Sequence, residues 1–290
     1  MNHDNNLKQK NSYILGVGKA GAKNLDFQHQ MLKQHSIEQL EKAGLKESTI
    51  IWDIGCGNGT MTEIMASRVG DNGQVYAVDI SEQQIQIAQQ RIKNAGFKNV
   101  TFIVSDLYSL SNNDYPKADI VYSRLLLMHL KNPIEAIKLM SSLLKKEGII
   151  SLQESDLNST LQKLNNQETN ESFKRYYKLV TTYGQINGVH YDIGNKLANI
   201  CQSLNIFSKV EHYISSYDFN EYKDLLLARY DEFKDRVVLA HLITEEESLQ
   251  LREKLQVFFN SEELIKMNLK INQHHLLLTC RSQDLILQTL

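Results

Sequence analysis

Cysteine and proline are scarce in this chain, and basic charge is not in excess. Three cysteines occur in 290 residues, at positions 56, 201 and 280. They are odd in number, far apart and form no CxxC pair, which argues against a disulfide framework or a structural metal site. Reduced thiols suit a cytoplasmic protein. The two prolines, Pro116 and Pro133, leave no proline-rich linker. Lys and Arg number 32 against 34 Asp and Glu, for a net charge of -2. Adjacent basic residues never exceed pairs such as Lys145-Lys146. Proteins that grip nucleic-acid backbones carry a basic excess or stripe, so no nucleic-acid partner is expected and a small or neutral ligand is favoured. No apolar run reaches the roughly 18 residues that a membrane helix needs, so no membrane partner is expected either. The Asn/Lys-rich segment Met1–Asn11 lacks the apolar core of a secretory signal and reads as a tail.

What is present is enough apolar residue, 42% of the chain, to bury one large core. Leu25, Phe27, Met31, Leu32, Ile37, Leu40 and Ala43 recur at helical spacing, and Gly44 supplies a stop. From Thr49 the pattern alternates. Strands are predicted at 49–54, 74–80, 100–105, 119–123 and 149–153. Helices between them begin at Thr60, at Ser81 with Gln84 as a capping box, and at the Asn132-Pro133 N-cap, the last running to Gly148. Alternation at this rhythm implies right-handed βαβ units and a parallel sheet. Beyond Glu154 the pattern loosens into helices over 157–187, 192–204, 219–240 and 244–259 and two strands over 208–219 and 272–281. The fold class expected is α/β: a Rossmann-like, doubly wound, mostly parallel seven-stranded sheet with an inserted helical cap. Its regions are an N-terminal tail and lid helix (1–44), a ligand-binding core (45–156), and cap insertions with the last two strands (157–290). A homodimer is compatible with this organisation.

The segment richest in chemistry is Asp53-Ile54-Gly55-Cys56-Gly57-Asn58-Gly59. A buried strand ends in alternating glycines and enters a helix, so the backbone can turn sharply and approach a ligand. Asp79 ends the second strand, where an acid accepts hydrogen bonds from two ribose hydroxyls. A dinucleotide site reads G-x-G-x-x-G and sets a pyrophosphate on the helix N-terminus. Here the spacing is G-x-G-x-G with a carboxylate just before it. That carboxylate would repel a pyrophosphate but suits a cationic amino-acid tail, which favours S-adenosylmethionine over NAD.

From Trp52 to Asp156 the chain resembles class I S-adenosylmethionine-dependent methyltransferases of the ubiquinone-biosynthesis-like group. The resemblance rests on Asp53 to Gly59, Val78-Asp79, Ser105-Asp106-Leu107, Asp119 to Arg124, Leu127 to Leu130 and Asn132-Pro133. It departs at Lys146-Glu147-Gly148, where the family shows Lys-Pro-Gly-Gly. The resemblance implies that Asp53, Gly55 and Gly57 hold the methionine end and Asp79 the ribose. It further implies that Ile80 packs on adenine, that Asp106, beside Ser105 and Leu107, accepts from the adenine amine, and that Ser123 and Arg124 floor the sulfonium. Cys56 and Gln84 are counted with this binding set. Tyr13 and Gln28 resemble a lid in a bacterial subset of the family. The activity implied is in-line methyl transfer to a small molecule, with S-adenosylhomocysteine as product. The alternatives are a protein or RNA methyltransferase and a non-catalytic protein that binds S-adenosylmethionine.

Several residues admit two readings. His129 is either a general base or a cap on its loop. Glu154 and Asp156 end a strand where ligands bind, and either could take a proton from the acceptor or simply cap a helix. His190 and Tyr191 are either substrate contacts or surface. Gly16, Gly18 and Gly21 spell G-x-G-x-x-G but lack a preceding strand and read as a hinge. His274 and His275 alternate on a strand, so they face opposite ways and do not share a metal.

Overall fold

The computed structural model describes residues 18–110, 114–159, 162, 170–218, 223–267 and 270–281. Seven strands form one sheet: β1 (Ile50–Ile54), β2 (Gln74–Asp79), β3 (Val100–Val104), β4 (Ala118–Arg124), β5 (Leu144–Ser155), β6 (Phe207–Asp218) and β7 (Lys270–Cys280). Their order is β3-β2-β1-β4-β5-β7-β6. The first five run parallel, and β7 lies antiparallel between β5 and β6. This is the predicted α/β sheet. The strand order reverses between β1 and β4, and ligands of open α/β sheets bind beyond the carboxyl ends at such a point.

Nine helices belong to the described residues: α1 (Gly18–Lys42), α2 (Thr60–Val69), α3 (Glu82–Asn94), α4 (Pro133–Ser142), α5 (Glu171–Ile186), α6 (Ile193–Ser203), α7 (Lys223–Leu239), α8 (Glu245–Phe259) and α9 (Glu262–Met267). With helices on both faces, β1 is buried at four of its five positions, Asp53 among them, as a near-continuous apolar strand requires. The α1 helix is tied to the sheet by polar contacts as well as by Leu40. Gln39 Nε2 donates to the carbonyl oxygens of Leu152 and Leu276, at 2.7 and 3.2 Å, and its Oε1 lies 2.7 Å from His275 Nδ1. His274 stacks instead on His212, with ring nitrogens 3.1 Å apart, so the two histidines do face opposite ways. A second core joins α5, α7 and α8 through Phe173, Tyr176, Tyr230, Phe258 and Phe259.

Three local expectations fail. Gly18 and Gly21 are not a hinge but the start of α1; Gly16 lies outside the described residues. Helix α4 stops at Ser142, not Gly148, because β5 already pairs at Leu144 with Ala118. Glu147 then adopts φ +61°, and the exposed Lys145-Lys146-Glu147 forms an irregular start to the strand. The capping box at α3 is half made: Ser81 Oγ accepts from Gln84 N at 3.4 Å, with no return bond from the glutamine side chain. No helix among the described residues is long and apolar enough to cross a membrane.

Candidate active site

The glycine turn after β1 needs all three of its glycines, for different reasons. Gly55, Gly57 and Gly59 have φ of +76°, +54° and +79°, in the left-handed region that side chains strain. A Cβ on Gly57 would sit 3.2 Å from Leu25 Cδ1, because α1 roofs the turn. A Cβ on Gly59 would sit 2.7 Å from Ala88 Cβ, because α3 packs directly on it. The roof is clipped by polar contacts: Asp26 accepts from Asn58 Nδ2 at 2.9 Å and from Arg91, whose Nε donates to the Asn58 carbonyl at 3.0 Å.

Two acids flank the turn. Asp79 Oδ2 accepts from Gly57 N at 2.9 Å and its Oδ1 from Ser81 N at 2.8 Å, so one carboxylate braces both the glycine turn and the start of α3. Burial pushes Asp79 up from the usual carboxylate range, partly offset by these N–H groups. Asp53 is buried and accepts from Thr62 Oγ1 at 2.6 Å. Burial pushes it up to about 6, against the pull of Thr62 and of the Arg124 charge.

A cleft of about 680 Å³ opens above these groups. It is lined by Leu25, Gln28, Asp53, Gly55, Cys56, Gly57, Asp79, Ile80, Ser105, Asp106, Leu107, Arg124 and His129. Ile80, 53% exposed, offers an apolar surface there. Asp106 accepts from Tyr108 N at 3.1 Å through Oδ1, capping a short turn. The Cys56 thiol is buried, and burial holds it well above its usual value, so it supplies no nucleophile at neutral pH. His129 is lowered to about 4 by burial and by the nearby Arg229 charge. It is therefore a neutral imidazole at pH 7, the form that can take a proton.

Other predicted positions fall elsewhere. Tyr13 lies outside the described residues. Ser123 does not line the cleft: alternation along β4 sends its neighbours Tyr122 and Arg124 to that face, and Ser123 is buried on the other. Gln84 is fully buried in the first turn of α3 and also misses the cleft. His190 lines neither this cleft nor the smaller cavity beside it; its N–H donates to the Met128 carbonyl at 2.8 Å, which sews the α5–α6 connection to the loop after β4. Tyr191 lines a second, smaller cavity beside His129 and packs into a notch left by Gly184, where a Cβ would lie 2.0 Å from its ring.

Glu154 lines neither cavity. Its Oε1 accepts from Leu126 N and Leu127 N at 2.9 and 2.8 Å, so it organises the loop that carries His129 instead of reaching an acceptor. Burial raises it from 4.5 to about 8 despite those N–H groups. The folded state thus binds this proton more tightly than the unfolded chain. Its stabilising effect is complete below pH 4.5 and is lost as pH climbs through 8. Glu154→Gln retains the acceptor oxygen but cannot ionise, so thermal melts of this variant should fall less between pH 6 and 9 than those of the unsubstituted protein. An equal fall would mean that Glu154 does not carry this pH dependence.

Tyr122, Leu125, Asn187 and Gly188 also line the cleft without having been singled out from the sequence. Only the alternation on β4 could have marked Tyr122. Leu125, which lines both cavities, adopts φ +53°, a strained value for a γ-branched side chain.

A family model described as a methyltransferase domain matches residues 45–221. A ubiquinone/menaquinone biosynthesis C-methyltransferase from Hydrogenovibrio crunogenus is 27% identical over 157 residues, 51% of this chain and 60% of that protein. A ribosomal protein L11 methyltransferase from Caldanaerobacter subterraneus is 34% identical over 82 residues, 28% of this chain and 25% of that protein. The chain thus spans less than two thirds of either relative. A Haemonchus contortus phosphoethanolamine N-methyltransferase, solved with phosphomonomethylethanolamine and S-adenosylhomocysteine, superposes with a TM-score of 0.54 at 18% identity. That superposition covers 86% of this chain and 53% of the other. The chain belongs to the methyltransferase-domain family and resembles class I S-adenosylmethionine-dependent methyltransferases of the ubiquinone-biosynthesis-like type.

Proposed function

We propose that this enzyme methylates a small molecule, and that the acceptor enters the smaller cavity beside His129. The observation that carries the reading is the junction of the two spaces. Gln28, Leu125 and His129 line both the 680 Å³ cleft and a second cavity of about 140 Å³. A space of that size, walled by cap helices, accepts a small molecule and excludes a folded protein or an RNA duplex. The three buried free thiols fit a reducing compartment such as the cytoplasm.

The donor set of the larger cleft suits S-adenosylmethionine. Asp53, buried and raised, is completed by a cationic ammonium. Asp79 has lone pairs left for a ribose diol after its two N–H partners. Ile80 and Leu107 offer apolar surface for a base, and Asp106 an acceptor for its amine. S-Adenosylmethionine supplies a methyl already activated by the positive sulfur. The chain's own contribution is position and water exclusion: α1 roofs the turn, Gln28 and Leu125 border both spaces, and the neutral His129 holds a proton from a hydroxyl or ammonium acceptor.

Release of S-adenosylhomocysteine tests the reading. Small acids, phenols and amines should support it, and peptides or RNA should not. Turnover confined to macromolecules would overturn it. The Asp53 assignment has its own pH signature. Below about pH 6 a proton competes with the ligand's ammonium, so the Kd for S-adenosylhomocysteine should rise toward tenfold per pH unit. Calorimetric titration between pH 5 and 8 reads this directly; a flat profile would remove Asp53 from the ammonium site.

A further inference from the structure

The smaller cavity is aromatic, yet two charged side chains enter it. Tyr176, Tyr177, Tyr191 and Phe233 form much of its wall, and Arg229 and Glu232 reach in from α7. Arg229 makes no hydrogen bond or ion pair with any described residue, and its Nε is buried without a partner. Its charge bears on His129, Tyr176 and Tyr191. A guanidinium partly withdrawn from water is costly unless something pairs it. Glu232, three residues along α7, does not, although it lines the same space. A planar guanidinium presents paired donors that match a carboxylate or phosphate. Much of the remaining wall is apolar, with Gln28, Ser155 and Gln273 as polar points, and a cavity of about 150 Å³ takes a benzene-sized guest.

We propose that the acceptor is a small anion with an apolar body about the size of one ring, its carboxylate or phosphate paired with Arg229. The assignment rests on reading the larger cleft as the cofactor site and the smaller cavity as the acceptor site. The anion anchors the acceptor at its far end from the cleft, and the group to be methylated lies toward His129. Glu232 sets a limit on charge: a dianion meets more repulsion from it than a monoanion.

The full chain, saturated with S-adenosylhomocysteine, is titrated calorimetrically with benzoate, phenyl phosphate, benzyl alcohol and benzylamine. At least one anion should bind about tenfold or more tightly than the alcohol and the amine, consistent with a charge-assisted pair. Benzoate and phenyl phosphate together tell which oxyanion is preferred. Arg229→Gln should bring the anion to the level of benzyl alcohol while S-adenosylhomocysteine affinity is retained. Glu232→Gln should strengthen anion binding several-fold, and it decides the matter if Arg229→Gln does not fold. Equal binding of alcohol or amine, or an anion affinity unmoved by both substitutions, overturns the proposal. If S-adenosylhomocysteine binds and no anion does, only this assignment falls. If S-adenosylhomocysteine itself does not bind, the reading of both cavities falls with it.

Discussion

Asp79→Asn lowers the affinity for S-adenosylhomocysteine by about 100-fold. Two effects add. The amide loses the charge that strengthens hydrogen bonds to a ribose diol, each worth about 1.5–3 kcal/mol when the acceptor is ionised. It also presents one acceptor oxygen where Asp79 uses two, for Gly57 N and Ser81 N. One of those N–H groups must then face an amide NH₂, and the glycine turn or the start of α3 shifts. Calorimetry on the folded variant checks the prediction. Affinity within threefold of the unsubstituted protein would show that Asp79 braces the turn without touching the ligand.

Gly59→Ala costs about 2–5 kcal/mol of stability, enough to lower the Tm by about 10 °C in a chain of this size. The residue has φ +79°, and the new Cβ would meet Ala88 Cβ at 2.7 Å and the Ala88 Cα at 3.0 Å. The Cα cannot rotate away, so α3 must move as a whole. Gly96 is the control. Its φ is +82°, but a Cβ there meets nothing within 4 Å. Gly96→Ala therefore carries only the backbone penalty of about 1–2 kcal/mol. Thermal melts of the two variants separate the clash from the conformational strain, and equal losses would mean that contact with Ala88 contributes nothing.

The parts legible in the sequence share a local origin. Short, mostly apolar runs, separated by amphipathic stretches, specify β1 to β4 and their helices without long-range information. The order Asp53, Gly55, Gly57 and Asp79 is a short-range pattern as well. The smaller cavity is not legible for the opposite reason. Leu125, Tyr176, Tyr191, Arg229 and Gln273 come together only when α5 and α7 fold back over the sheet that β7 completes, and no spacing in the sequence records that meeting. Ser123 shows how small an error suffices. One residue of phase on β4 separates a position on the cleft from one buried on the far face. Glu154 shows another limit. The end of a strand marks a carboxylate as interesting, but only geometry reveals that two backbone N–H groups already occupy it.

The placement of β7 between β5 and β6 sets a timetable for synthesis. Strand β5 is complete at Ser155, but the strand that covers its open edge begins at Lys270. The intervening 114 residues (156 to 269) take roughly 6–23 s to make at about 5–20 residues per second. Throughout that interval a nascent parallel sheet, with buried positions along most of β5, presents an unpaired edge. Strand β6 is already made but has no neighbour to pair with until β7 emerges. The nascent chain is therefore most exposed to edge-to-edge aggregation late in its synthesis, and most in need of a holding chaperone while its cap is still on the ribosome.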